Sequence, residues 1–72
     1  MTGESEIPLS PVARIIRKAG GERMSSDTAG ALAVVMEEHA VLVTKEALKL
    51  MNHAGRKTLR ANDITMAAEI LK

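Results

Sequence analysis

SDTAGALAVVMEEHAVLVTKEALKLMNHA, residues 26–54, is the stretch on which the fold turns. No proline interrupts it. Gly30 alone weakens a helical reading, at about 1 kcal/mol relative to alanine. Leu32, Val35, Met36, His39, Val43, Ala47, Leu50, Met51 and Ala54 recur at steps of three and four, as one face of a helix requires. Val34, Val41 and Leu48 add apolar side chains on a neighbouring face. Such a helix would run roughly 43 Å at 1.5 Å per residue. A compact domain of this length has a radius of gyration of about 11 Å and is only about 30 Å across. One chain therefore cannot cover both ends of its own helix, and the uncovered apolar length needs a partner.

Working outward, Ser10-Pro11 reads as a helix start, with serine as N-cap and proline at the first helical position. Val12, Ile15, Ile16 and Ala19 form one apolar stripe, while Arg14, Arg17 and Lys18 lie together on a different face. Gly20-Gly21 ends this first helix, residues 11–19. Glu22, Arg23 and Met24 make a short connector. Ser25 is placed to cap the long helix, with Asp27 in its first turn. On the other side, Gly55 closes the long helix and Lys57-Thr58-Leu59 reads as a short extended piece. A third helix over about 61–71 carries Ile64, Ala67, Ala68 and Leu71 on one stripe. Asp63 falls in its first turn and close enough to Arg56 for an ion pair across the loop. The class is all-α, in the order short helix, long helix, short helix.

Composition narrows the function. The chain has 72 residues, so it is one domain, with residues 1–6 a short flexible N-terminus and 7–72 the folded part. A domain of this size buries only about 60% of its unfolded surface. There is no cysteine to make up the deficit with disulfides. Yet 46% of the residues are hydrophobic, too many for a disordered tail. No residue is aromatic, which argues against modules that stack single-stranded bases on aromatic platforms. The opening MTGESE lacks the cationic start and apolar run of a secretion signal, and no apolar run would span a bilayer. The expectation is a cytoplasmic protein with no membrane partner.

Net charge is only +1, but its distribution is uneven. Residues 12–24 hold Arg14, Arg17, Lys18 and Arg23 against Glu22. Residues 56–60 hold Arg56, Lys57 and Arg60 with no acid. Between them, residues 25–54 carry a net negative charge.

The helix plan, together with R-I-I-R-K-A-G-G-E-R at 14–23, H-A-G-R-K-T at 53–58 and A-N-D-I at 61–64, resembles the histone fold, and most closely the archaeal histones. The resemblance covers about residues 6–72. It implies an intertwined antiparallel handshake homodimer that binds, bends and wraps double-stranded DNA, with no cofactor. By resemblance, Arg14, Arg17, Arg23, Lys57, Thr58 and Arg60 contact DNA, and Arg56 with Asp63 is a structural ion pair. Ile15, Leu32, Val35, Met36, His39, Val43, Ala47 and Ile64 make up the expected dimer core. Leu50, His53 and Asp63 are the expected dimer–dimer contact, leaving tetramers, larger assemblies and mixed dimers with sister histones open. Association with the chromosome follows. Antiparallel pairing would set the 20–25 loop of one chain beside the 55–60 loop of the other, so the two basic clusters would meet. A second reading remains: a histone-fold interaction subunit that pairs with a different chain in a transcription or scaffolding complex.

Departures from the family pattern are specific. Val34, Val41 and Leu42 stand where charge is common and suggest an apolar patch, while Gly30, Asn62 and Thr65 replace larger or charged residues. The usual aromatic near the C-terminus is missing. These changes weigh against extended stacking of dimers. Enzymatic readings fail on spacing. Gly55-Arg56-Lys57-Thr58 resembles the end of a phosphate-binding loop, but the required earlier glycine is Leu50. Ser10 and Ser25 have no histidine and acid beside them. His39 and His53 are too far apart on one helix to share a metal, so no metal site is expected.

Overall fold

The computed structural model describes residues 5–72. Its elements are α1 (Leu9–Lys18), α2 (Thr28–His53) and α3 (Ala61–Ile70), with no strand among the described residues. The short–long–short order is the one the sequence implies. At 26 residues, α2 is about 39 Å long. The chain divides into two compact units, one ending at Glu38 and the other spanning His39–Lys72, so each unit holds one short helix and part of α2.

The first unit buries Val12 of α1 and Ala33 of α2 completely. Residues 1–4 of the segment expected to be flexible lie outside the described residues, whereas Ser5 and Glu6 are tied to α2. The Ser5 hydroxyl donates to Glu37 Oε1 at 2.6 Å, and the Glu6 N–H donates to the same oxygen at 2.7 Å. These two donors hold the Glu37 carboxyl below its ordinary range. The second unit packs Val43, Ala47 and Ala67 into a small core, with Leu50, Ile64 and Leu71 against it.

Helix starts correct two expectations. Ser10 is not the N-cap of α1: the helix begins at Leu9, after an extended Pro8 (φ −61°, ψ 140°), and no side chain caps it. The first four amides of any helix lack intrahelical acceptors, so Pro11 fits the third position as readily as the first. Ser25 likewise stands outside α2. Its hydroxyl donates to Asp27 Oδ1 at 2.6 Å, sits 2.9 Å from the Thr28 hydroxyl, and its carbonyl accepts the Thr28 N–H, forming a turn ahead of the helix. Asp27 immediately precedes α2, and its carbonyl accepts the Ala31 N–H. The extended piece expected at 57–59 is instead a bend at Lys57 and Thr58, and Arg60 is extended (φ −114°, ψ 157°).

The residues expected in the dimer core divide three ways. Val43 and Ala47 are buried within the chain, Leu32, Met36 and Ile64 are half-buried, and Ile15, Val35 and His39 are exposed. Leu9, Val41, Leu42, Leu48, Leu59, Met66 and Ile70 are also exposed. Full burial of one such side chain is worth about 1.5–3 kcal/mol. A single copy therefore leaves much apolar stabilisation unrealised. Of the three residues expected to form an apolar patch, Val41 and Leu42 are exposed and Val34 is half-buried.

Candidate nucleic-acid interface

Both long loops begin with the same hydrogen-bonded turn. After α1, the Gly20 N–H donates to the Arg17 carbonyl at 3.0 Å and the Gly21 N–H to the Ile16 carbonyl at 2.9 Å. After α2, the Gly55 N–H donates to the Asn52 carbonyl at 3.0 Å and the Arg56 N–H to the Met51 carbonyl at 3.1 Å. Each is a Schellman ending, which satisfies the orphan carbonyls and needs a residue at positive φ. Gly20 (φ 111°) and Gly55 (φ 72°) supply it. Gly21 is small for another reason: a Cβ there would lie 2.7 Å from Ile16 Cγ2.

On α1, Arg14 points about 160° away from the buried Val12, at the face opposite the core. Arg17 and Lys18, three and four residues on, flank it and are equally exposed. Arg23 is exposed in the loop that follows. Among the described residues, none of these four has an ion-pair partner: the ion pairs are Lys49–Glu46, Arg56–Asp63 and Lys72–Glu69.

The second loop is organised around one buried carboxylate. Arg56 Nη2 donates to Asp63 Oδ1 at 2.7 Å, and Nη1 donates to Oδ2 at 3.1 Å and to the Thr58 carbonyl at 3.0 Å. The Arg60 N–H donates to Asp63 Oδ2 at 2.9 Å. Arg60 has no acceptor on its side chain, so the return bond from the Asp63 N–H goes to its backbone carbonyl. Asp63 is 2% exposed. Pairing with Arg56, aided by the Arg60 amide, holds its carboxyl below the usual carboxylate range although burial opposes this. The ion pair is thus present, and it fixes the bend that carries Lys57 and Thr58. Lys57, Thr58 and Arg60 are exposed, and neither cation has an ion-pair partner among the described residues.

The expected dimer–dimer residues differ in kind. His53 is exposed at the end of α2, beside Lys49 and Asn52 in a shallow depression. Leu50 is half-buried against the core of the second unit, and Asp63 is committed to Arg56. The sequence carries no signal for the Ser5 and Glu6 contact with Glu37, which spans more than 30 positions of chain. Lys18 is legible there as a member of the basic face, not as a contact. Among the described residues there is no cluster of three or more metal-ligating side chains, and no helix is long and apolar enough to cross a membrane.

Comparison with known proteins places this geometry in context. A family model described as histone-like transcription factor (CBF/NF-Y) and archaeal histone matches residues 5–68. A subunit of the archaeal histone HAN1 of Thermococcus zilligii is 49% identical over 65 residues, covering 90% of this chain and 97% of that relative. Probable archaeal histone 3 of Methanocaldococcus jannaschii is 35% identical over 63 residues, covering 88% and 94%. The chain belongs to the family of histone-like transcription factors and archaeal histones, and is a non-enzymatic, DNA-binding, chromosome-associated protein of the histone fold whose kind pairs histone with histone.

Proposed function

We propose that this chain acts as an antiparallel handshake homodimer that bends and wraps double-stranded DNA with little sequence preference, on the chromosome in the cytoplasm. One observation carries the reading. The cations assigned to DNA, Arg14, Arg17, Arg23, Lys57 and Arg60, are all exposed and lack ion-pair partners among the described residues, while Arg56 is consumed within its own chain. Phosphate contacts of this type supply affinity without reading bases. Sequence preference then follows how easily a duplex bends. The apolar side chains left exposed by one copy, Ile15 and Val35 among them, support pairing with a second. Assembly beyond the dimer would rest on His53, the exposed member of its group.

The test is a mobility-shift titration over a range of salt. Replacing Arg14, Arg23 and Lys57 together by alanine weakens binding to all duplexes alike. It also flattens the dependence of log affinity on log salt by about 0.9 for each phosphate no longer neutralised. Unchanged binding rejects the assignment. The Thermococcus relative is named as one subunit of a histone, which favours a second reading, a mixed dimer with another histone. Circular dichroism with light scattering decides between them: a stable helical dimer of this chain alone supports the first reading, and an unfolded or aggregated chain supports the second.

A further inference from the structure

We infer that Lys18 is an additional phosphate-binding residue, which makes α1 and its following loop the principal DNA-binding strip of the chain. This rests on the proposed duplex-binding role. The strip lies wholly in the first unit. Arg14 stands opposite the buried Val12, and Lys18 lies one helical turn further along the same face, about 6 Å up the axis. Arg17 flanks Arg14 on the other side, and Gly20 then turns the chain into the loop that carries Arg23.

Lys18 is free to meet a ligand. It is exposed, and no carboxylate among the described residues lies within ion-pair distance of it. Its place in the last turn of α1 is favourable to the helix dipole, but that interaction leaves the ammonium in water. A long flexible stem lets it reach a neighbouring phosphate of the strand that Arg14 contacts. The second loop is weaker by comparison, because Asp63 neutralises Arg56 and leaves Lys57 and Arg60 as its outward charges.

The experiment measures duplex affinity against salt for Lys18→Ala, Lys18→Arg, Arg14→Ala and Lys45→Ala. Lys45 is an exposed cation on α2, outside the strip, and reports the effect of net charge alone. The inference expects Lys18→Ala to flatten the salt dependence by about 0.9 for the one phosphate set free, Lys18→Arg to restore it, and Lys45→Ala to leave it near the parent value. It is overturned if Lys18→Ala matches the parent while Arg14→Ala does not, or if Lys45→Ala loses as much as Lys18→Ala. If Arg14→Ala also matches the parent, the duplex-binding reading itself falls, and this inference with it. Unchanged helical content in all four variants excludes unfolding as the cause.

Discussion

After α1 the chain turns through Gly20 and releases Arg23 to the surface; after α2 it turns through Gly55 by the same pair of backbone bonds and at once engages Arg56 with Asp63. The residue following the glycine makes the difference. In the first loop it is Gly21, pressed against Ile16 and unable to reach anything. In the second it is Arg56, whose three side-chain hydrogen bonds shape the bend. A count of lysines and arginines gives the second loop three cations, yet only two face outward. Charge written in a sequence is therefore not charge offered to a ligand, because a buried carboxylate seven residues away can claim one.

Removing Asp63 should widen that difference most. Asp63→Ala leaves Arg56 without its partner and unclamps the bend, and a fall in melting temperature of roughly 10 °C is expected at fixed protein concentration. A change of only a degree or two would mean the pair contributes little. Acid tests the same contact by another route. The Asp63 carboxyl is depressed in the folded state, so its contribution is complete above the ordinary carboxylate range, about pH 4, and is lost as pH falls through the depressed value. The stability gap between the parent and Asp63→Asn should be full at neutral pH and close below about pH 4; a constant gap would deny the linkage.

Glycine replacements probe the two turns themselves. Gly20→Ala and Gly55→Ala are each expected to cost about 1–2 kcal/mol in denaturant unfolding, with Gly20 the costlier because its φ lies further from the left-handed helical basin. Equal stability to the parent would show that the turns rearrange freely. The smallest effect has the opposite sign. A Cβ at Gly30 would meet nothing within 4 Å, so Gly30→Ala should stabilise by about 0.5–1 kcal/mol. A decrease instead would reveal that a second chain approaches α2 closely there.

The three helices follow from the spacing of apolar residues, and the glycines that end α1 and α2 are where the pattern puts them. The Arg56–Asp63 pair is legible from a charge on each side of one short loop. What escapes a reading of the sequence does so for physical reasons. The start of α1 is hidden because proline is tolerated throughout a helix's first turn, so Pro11 does not mark the first helical position. The Ser25 turn resembles a cap because the same hydroxyl chemistry serves both. Contacts to Glu37 from the start of the chain carry no local pattern at all.

That last contact has a practical consequence. Glu37 lies in the interior of α2, and a single oxygen of its carboxylate moors both Ser5 and Glu6. Whatever is joined ahead of Ser5, whether a purification tag or a fluorophore, sets out from the flank of the long rod instead of swinging from its tip. A label placed there reports on the stretch of α2 around Glu37.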